Sequence, residues 1–335
     1  MVNAFSNDLQ YFGVNRYNMG WQNNAVNGIL LIDKPEGFTS FDVCAVIRGM
    51  LRTKKVGHSG TLDPLATGVL PILVGSATRA LDLIPSHDKT YVAGFRLGMT
   101  TDTLDVTGNV LSEQPADVTR ELLEETLGTF RGDILQVPPM YSAVSVGGKK
   151  LYDLARMGVE VEREARPVTI YRLTLDDYDS GNSTGVLTVS CSKGTYIRTL
   201  IDDLGKKLGC GAVLTSLRRT EASGITAERC MTLAQAQEYK DNGLLESKLL
   251  PVDSLFEEYP AVYISDNQAV RFVNGATLAL ERLQPPVVNG VRMKERLDDE
   301  KYPQESLYRV YARADNAFLG LGVKRTDELR VMKRF

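Results

Sequence analysis

The segment at residues 57–71 constrains the fold of this chain more than any other, because its Gly and Pro residues disfavour both regular helix and regular strand. It contains three Gly, two Pro, three hydroxyl residues and a single carboxylate, Asp63. Before it, apolar residues recur at helical spacing over residues 43–51. We therefore expect an irregular loop on a rigid scaffold, a common location for functional residues.

The side chain of Asp63 can serve this loop in two ways. Pro64 disfavours the helical region for the residue before it, so Asp63 is expected to be extended, and its carboxylate can project from the loop as a catalytic group. The same carboxylate can instead bond to the nearby backbone and hold a turn. The residue pattern leaves both interpretations open. It argues against a glycosidase, because that reaction needs two carboxylates across the sugar and the loop supplies one.

A second segment, residues 191–205, joins the end of a predicted strand to the start of a predicted helix through a Gly-containing loop. Tyr196 and Arg198 fall in the first turn of that helix. A cation there is unfavourable, since the helix dipole is positive at the N-terminus. Arg198 is therefore expected to face a carboxylate or an anionic ligand, although a pair with Asp202, one turn further along the same helix, also explains it.

Basic residues are concentrated in parts of a chain that is weakly acidic as a whole, with 39 Lys+Arg against 42 Asp+Glu and a net charge of −3. Residues 193–219 contain six basic and two acidic residues, and residues 48–58 contain four basic residues and no acid. Three more basic residues lie near Tyr141 and Tyr152. Basic residues among aromatics are typical of RNA binding through phosphates and stacked bases, although such runs are also common on solvated faces. The net charge excludes a uniformly basic nucleic-acid binder.

Several classes of function are disfavoured by what the sequence lacks. The four Cys residues form no Cys-x-x-Cys pair and only two His residues are present, so neither a zinc site nor a disulfide framework is expected. No Gly-rich phosphate loop, dinucleotide fingerprint or Gly-x-Ser-x-Gly motif occurs. The apolar runs are far shorter than the about 20 residues of a membrane span, and no signal peptide is recognisable. These features predict a cytoplasmic protein that needs no metal and contacts no membrane.

Hydrophobic periodicity divides the chain into three parts. Residues 1–27 contain seven Asn and no periodic pattern, which favours a flexible extension. Residues 28–250 predict an α/β domain, with strands at 28–33 and 91–97, a hairpin at 173–192 and helices at 118–130, 196–208 and 232–240. A further helix is capped at Thr39 or Ser40 and has its apolar face over residues 43–51, and a loop-and-helix insertion lies at about 131–166 with its helix at 150–157. Residues 251–335 predict a small β domain, with short strands at 262–264, 270–273, 307–312 and 319–323.

Together these segments resemble the TruB family of tRNA pseudouridine synthases, bacterial enzymes that act on the uridine at position 55 in the T-loop of tRNA. The match covers about residues 28–250, and residues 251–335 are similar to the family's PUA-type RNA-binding domain. Ser59 stands where many members have Thr, which preserves the hydroxyl. The matching segments follow the family's order: residues 33–42, 57–71, 88–91, 96–103, 140–152, 163–166, 191–205 and 217–219.

The resemblance implies the pseudouridine synthase fold, an α/β (α+β) architecture with a mixed, largely antiparallel sheet, flanking helices and a thumb-like insertion. It also implies an isomerase that acts on tRNA as a monomer and without a cofactor. In this family the Asp at the position of Asp63 is the essential catalytic residue. The Arg at the position of Arg198 pairs with it, and the Tyr at the position of Tyr91 packs on the target base.

The same resemblance assigns five residues to substrate binding. It implies that Tyr196 lies against the uracil and that Leu217 forms a wall of its pocket. It implies that His58 stacks among the T-loop bases in the place that the flipped uridine has left, and that Lys34 and Pro35 lie beside the site.

Two other functions are consistent with parts of this pattern. A non-catalytic tRNA-binding or tRNA-folding protein could use the same scaffold, although the presence of Asp63, Tyr91 and Arg198 argues for catalysis. A guide-RNA-dependent enzyme is disfavoured by the insertion at residues 131–166, which is typical of the stand-alone bacterial type.

Overall fold

The computed structural model describes residues 26–295, 297 and 305–335. The chain forms two compact units. The larger unit contains Ile29–Val74 and Leu83–Leu249, and the smaller unit contains Gly75–Asp82 and Leu250–Phe335 with residues 26–28. The flexible extension predicted for residues 1–27 lies almost wholly outside the described residues.

A mixed sheet forms the centre of the larger unit. The strands of this unit are β1 (Gly28–Lys34), β2 (Val56–His58), β3 (Thr67–Val74), β4 (Lys89–Leu97), β5 (Met99–Thr101), β6 (Val110–Glu113), β7 (Gly132–Gln136), β8 (Ser145–Val146), β9 (Lys149–Lys150), β10 (Arg166–Asp179), β11 (Thr184–Cys191), β12 (Ala212–Ala222) and β13 (Ile225–Thr226). The main sheet has the order β1-β3-β12-β4-β11-β10-β7, with β2 beside β3 and β13 beside β12. β12 pairs parallel with β3, whereas the pairs from β12 through β4, β11 and β10 to β7 are antiparallel. The mixed, largely antiparallel sheet expected from the resemblance is therefore confirmed.

The α-helices described in this unit are α1 (Ser40–Leu51), α2 (Arg120–Gly128), α3 (Leu151–Arg156), α4 (Ile197–Leu208) and α5 (Leu233–Asp241). α1 follows the cap predicted at Thr39 or Ser40, and α2 to α5 begin and end within two residues of the predicted positions. α1 starts at a capping box, in which the Thr39 hydroxyl accepts a bond from Asp42 N and the Asp42 carboxylate accepts one from Thr39 N. α4 ends at Gly209, whose φ of +78° suits a residue without Cβ. Across the two units, 3₁₀ helices occupy Gly75–Leu83, Ala227–Arg229, Leu245–Lys248, Val252–Phe256 and Leu280–Arg282.

The insertion differs from the predicted loop at its first residues. Gly132–Gln136 forms β7, which pairs antiparallel with the first residues of β10. Apart from Ile134 and Leu135 this segment is polar or Gly, so its own pattern gave no strand signal, and the strand depends on the partner that β10 supplies. Beyond β7, the short hairpin β8–β9 leads into α3 as expected for a loop-and-helix insertion.

The described residues of the smaller unit form a seven-stranded sheet with the order β15-β20-β19-β18-β14-β16-β17 and one α-helix, α6 (Asp266–Val273). The strand predicted at residues 270–273 is wrong, because these residues belong to α6. A capping box between Ser265 and Gln268 starts the helix, and Ala269 and Phe272, three positions apart, pack into the core of the unit. The strands are β14 (Ala261–Ile264), β15 (Leu278–Ala279), β16 (Val287–Val288), β17 (Val291–Arg292), β18 (Leu307–Ala312), β19 (Phe318–Lys324) and β20 (Glu328–Arg334).

Within the part of the chain that the structure describes, none of the helices has both the length and the apolar character needed to cross a membrane. The same residues contain no group of three or more His, Cys, Asp or Glu side chains arranged to hold a metal ion.

Candidate active site

Asp63 lies in the irregular loop that connects β2 to β3, as its Gly and Pro content predicts. The loop is closed at its base by a bond from Ser59 N to Pro71 O, 3.1 Å. Leu62, directly before Asp63, is held by the buried Ser40 at the start of α1, whose hydroxyl accepts from Leu62 N at 2.8 Å and donates to Leu62 O at 3.2 Å. The first turn of α1 therefore fixes the backbone on one side of Asp63.

The backbone on the other side of Asp63 is fixed from the turn after β1. The carbonyl of Pro64 accepts bonds from Gly37 N at 2.8 Å and from Lys34 Nζ at 3.4 Å. Lys34 is fully buried, its ammonium also donates to Pro35 O at 2.8 Å and Phe38 O at 2.6 Å, and burial lowers its pKa to about 8. The resemblance implies that Lys34 contacts substrate. The structure places it beneath the loop, with its donors directed to backbone carbonyls.

The carboxylate of Asp63 forms an ion pair with Arg198, at the start of α4, at 2.9 Å between Oδ2 and Nη2. The alternative partner considered for Arg198 is engaged elsewhere, because Asp202 Oδ2 lies 2.5 Å from Lys206 Nζ. Arg198 is nearly buried, with a side chain 6% exposed, whereas the Asp63 side chain is 39% exposed. The cation thus lies behind the carboxylate, and the carboxylate faces open space.

Arg198 is held in place by groups on its other side. Nη1 donates to Thr103 O at 3.0 Å and Nη2 donates to Tyr141 O at 2.8 Å. Asp105 Oδ2 lies 3.9 Å from Nη1. Asp105 is itself fixed, since its Oδ1 accepts bonds from Thr103 Oγ1 at 2.9 Å, Thr107 N at 3.0 Å and Thr107 Oγ1 at 2.5 Å.

Asp105 was not among the candidate residues named from the sequence. One signal in the sequence could have found it, since the run Thr-x-Asp-x-Thr at residues 103–107 is the pattern of a carboxylate that bonds its neighbours in a turn. The structure adds the reason for its position, because the buried Arg198 needs more negative charge or more acceptors than Asp63 alone provides.

The surroundings of Asp63 act on its pKa in opposite directions. Burial in the protein is the largest effect and raises the pKa, the Arg198 guanidinium lowers it, and the Asp105 carboxylate raises it again. The net direction is upward from the ordinary 3.8 of an Asp side chain. Among the neighbouring groups, the Arg198 guanidinium is therefore the one that most favours the charged form of this carboxylate.

Asp63 and Arg198 open into a cavity of about 340 Å³. Tyr91 on β4, Tyr196 and Leu217 on β12 also line it, so five of the residues singled out from the sequence meet in one place. Burial raises the pKa of the Tyr91 hydroxyl.

The backbone of Tyr196 is held by Gln136, which was also not among the candidate residues named from the sequence. Tyr196 N donates to Gln136 Oε1 at 3.0 Å, and Gln136 Nε2 donates to Tyr196 O at 3.3 Å. The two residues are 60 positions apart in the sequence, which is why local patterns gave no sign of the contact.

His58 lies on β2 and does not line the cavity. Its ring packs edge-on against Phe41, with ring centroids 5.3 Å apart and an interplanar angle of 84°. Burial lowers the pKa of His58, so the ring is neutral near pH 7 and suited to stacking. Pro35 is half-buried and also lies outside the cavity lining.

Two family models match consecutive parts of this chain. The family model described as "TruB family pseudouridylate synthase (N terminal domain)" matches residues 48–197, and the one described as "tRNA pseudouridylate synthase B C-terminal domain" matches residues 198–257. The tRNA pseudouridine synthase B of Citrobacter koseri is 42% identical over 318 residues, which cover 92% of this chain and 94% of the relative. The protein of the same name from Azoarcus sp. is 47% identical over 76% of this chain and 83% of the relative.

Solved structures share the fold. A chain of a Cbf5-Nop10-Gar1 complex superposes with a TM-score of 0.66 at 25% identity, over 92% of this chain and 84% of that chain. A chain of an H/ACA RNP bound to a substrate RNA containing 2′-deoxyuridine gives a TM-score of 0.65 at 24% identity, over the same shares of the two chains.

Proposed function

This chain belongs to the TruB family, which makes it a tRNA pseudouridine synthase, and we propose that it isomerises the T-loop uridine at position 55 of tRNA with Asp63 as the catalytic residue. The observation that carries the choice of Asp63 is its 2.9 Å ion pair with Arg198 at the wall of the cavity. Among the described residues, no other carboxylate lines that cavity.

The reaction rearranges bonds within one nucleotide. The bond from ribose C1′ to uracil N1 breaks, the uracil turns, and C1′ bonds to C5, which loses a proton while N1 gains one. No electrons are gained or lost overall, so a single group that acts as nucleophile or base is enough. We infer that ionised Asp63 is this group and that Arg198 keeps it ionised and oriented.

The size of the cavity supports a mechanism in which one nucleotide is flipped out of the RNA. Its volume of about 340 Å³ is at the lower end of the range of about 300–1,000 Å³ for small-molecule pockets, which suits one nucleoside rather than a folded loop. Flipping costs a few kcal/mol, and stacking of a base on an aromatic ring returns about 1–3 kcal/mol. We infer that Tyr91 contacts the face of the uracil, with Tyr196 and Leu217 around it, and that His58 fills the vacated place.

The tRNA contacts extend beyond this cavity. We infer that the insertion at residues 131–166 lies against the T-arm, since Tyr141 within it bonds to Arg198 and Lys149 and Lys150 on it are exposed. We further infer that residues 251–335 form a second RNA-binding domain, because the similarity to the tRNA pseudouridine synthase B of Citrobacter koseri covers 92% of this chain.

Release of tritium from C5-labelled uridine in an unmodified tRNA transcript, with the product position mapped, tests this proposal. Wild type should release tritium from the T-loop uridine, and Asp63→Asn should bind tRNA within a few-fold of wild type but release none. Release from another uridine would overturn the substrate position. Normal product from Asp63→Asn would overturn the catalytic residue, and tight binding without release by wild type would favour a tRNA-folding protein.

A further inference from the structure

Three cations, Lys89, Lys193 and Arg219, form a cluster at one wall of the cavity, and the reaction described above does not use them. Lys89 and Lys193 line the cavity, and Arg219 is fully buried on β12. Lys89 and Arg219 meet at Gly60, where an added Cβ would lie 3.4 Å from Lys89 Cε and 3.5 Å from Arg219 Nη1. The positive charges of Lys193 and Arg219 both act on Lys89.

None of the three cations has a carboxylate partner within ion-pair distance among the described residues. Lys89 Nζ donates to the His87 carbonyl. Arg219 donates to Val69 O at 2.7 Å and to Gly60 O at 3.2 Å. Lys193 makes no hydrogen bond or ion pair to any residue that the structure describes.

One of the three guanidinium nitrogens of Arg219 has no hydrogen-bond partner among the described residues. Arg219 Nη1 is buried and makes no hydrogen bond of acceptable geometry, although the guanidinium lies close enough to the Tyr91 hydroxyl to lower that group's pKa. A buried charged group with an unused donor lowers the stability of the free protein.

The two nearby carboxylates do not neutralise the cluster. Asp63 pairs with Arg198. Asp88 favours the charged form of Lys89, but its Oδ1 also accepts a bond from the Tyr171 hydroxyl at 3.2 Å. Burial and the neighbouring cations prevail, and they lower the pKa of Lys89 to about 8. The free protein therefore holds like charges together at the rim of its cavity, an arrangement that an anionic ligand would relieve.

We propose that Lys89 and Lys193 bind a backbone phosphate of the RNA adjacent to the flipped uridine, with Arg219 as a fixed positive charge behind them. This rests on the proposed function. The uracil is neutral and needs no further cation, whereas the flipped nucleotide carries a phosphodiester on each side, and these must pass the mouth of the cavity. The cluster thereby selects a nucleotide within a chain over a free nucleoside.

The test replaces one phosphate at a time, 5′ or 3′ of the target uridine, with a neutral methylphosphonate. Each tRNA is measured for Kd and for tritium release with wild type, Lys89→Ala, Lys193→Ala and the control Lys240→Ala, an exposed lysine on α5 that does not line the cavity. At one of the two positions the methylphosphonate should weaken wild-type binding about tenfold or more, as expected for loss of a charged hydrogen bond.

If Lys89 and Lys193 bind the critical phosphate, removing a lysine and neutralising that phosphate should remove the same interaction. Lys89→Ala and Lys193→Ala should weaken binding of normal tRNA and should lose little more when the critical phosphate is neutral, whereas Lys240→Ala should respond as wild type does. The proposal would be overturned if, at both phosphate positions, the affinity losses from the lysine variant and from the methylphosphonate multiplied when the two were combined. It would also be overturned if wild-type binding were insensitive to both methylphosphonates. If wild type makes no pseudouridine, the proposed function fails, and the Kd measurements still decide whether the phosphate contact exists.

Thermal unfolding separates these effects from misfolding. Lys89→Ala should unfold at the same or a higher temperature than wild type, because it removes repulsion from the cluster. If Lys89→Ala is poorly folded, Lys89→Gln keeps the side-chain length without the charge and gives the same expected pattern. The slope of log Kd against log salt should fall by about one in each single variant.

Discussion

The guanidinium of Arg198 is a bridge between groups from separate parts of the chain. It contacts Asp63 in the loop after β2, the Thr103 carbonyl in the loop after β5 and the Tyr141 carbonyl in the insertion. A planar fork of donors can satisfy these three directions at once, which the single ammonium of Lys cannot do. The position of the cation beside Asp63 therefore depends on the hydrogen bonds and charges that hold the guanidinium.

Asp105 is the charged group behind that fork, and its removal should slow the reaction. We expect Asp105→Asn to lower kcat about 10- to 100-fold, because Asn keeps the shape but loses the charge that orients Arg198. Affinity for tRNA should stay within about threefold. Single-turnover tritium release and equilibrium binding measure the two quantities.

Asp102→Asn is the matched control for that variant. Asp102 lies in the same loop, but its carboxylate accepts bonds from Asn109 N at 2.8 Å and Asn109 Nδ2 at 2.9 Å rather than facing Arg198. Its rate should remain near that of wild type. Equal losses in both variants would mean that loop distortion, and not the charge on Asp105, sets the rate.

The raised pKa of Asp63 predicts how stability varies with pH. The pKa of Asp63 in the folded state lies above the ordinary value of 3.8, which applies to the unfolded chain. In the pH window between these two values the folded state holds the proton more tightly than the unfolded state. The contribution of this group to stability therefore falls as pH rises through the window. We expect the melting temperature of Asp63→Asn, relative to wild type, to be more favourable at pH 7 than at pH 4. A difference that is constant or reversed across this range contradicts the assigned direction.

Five of the residues that face the cavity could be predicted from the sequence and its family resemblance, but the residues that hold them could not. Asp63 and Arg198 stand out because each occupies an unfavourable or unusual local position. Ser40 and Gln136 do not, since their contacts with Leu62 and Tyr196 span 22 and 60 residues and appear only when the sheet and helices assemble. Lys34 is adjacent to the site in sequence, but its ammonium donates to backbone carbonyls beneath the loop, and its contact with substrate stays a prediction.

At the scale of elements, the packing of α4 on β12 sets where Arg198 lies. Gly205 on α4 makes this packing possible, because an added Cβ there would lie 2.1 Å from Ala212 N at the start of β12. Sequence periodicity predicted the helix, but it could not predict that this Gly permits a close approach. β7 and α6 were mispredicted for a related reason, since one depends on a partner strand and the other on a capping box and a buried Phe272.

The close approach predicts opposite outcomes for two Gly→Ala substitutions in helices. In Gly205→Ala the gain of about 1 kcal/mol in helix propensity is outweighed by a clash with backbone, so we expect a net loss of about 1–2 kcal/mol in stability. Because α4 carries Arg198, kcat should fall as well. Gly49→Ala on α1 has open space around the new methyl group and should gain up to about 1 kcal/mol with unchanged activity. Denaturant unfolding and tritium release distinguish the two, and a stabilised, fully active Gly205→Ala would contradict the packing argument.

At the scale of the whole molecule, a chain with a net charge of −3 must bind a polyanion through local basic surfaces. The sequence located such surfaces as runs of basic residues, but it could not separate the paired from the unpaired ones. Lys206 is neutralised by Asp202 at 2.5 Å, and Arg218 is paired with Asp33 at 2.8 Å. The cluster of Lys89, Lys193 and Arg219 has no such partner among the described residues, so its positive charge can attract the phosphates of RNA.

This distribution predicts that salt acts on binding and not on the chemical step. Affinity for tRNA should fall about tenfold or more between about 50 and 200 mM salt, because each phosphate contact releases condensed counterions on binding. The single-turnover rate at saturating tRNA should change little over the same range, because the pair of Asp63 and Arg198 lies at 2.9 Å within a site that bound RNA covers, where screening is weak. A flat dependence of log Kd on log salt would refute a phosphate-dominated contact. A rate that falls in parallel with affinity would show that the ion pair is exposed to solvent in the complex, and would remove the argument that Arg198 keeps Asp63 ionised there.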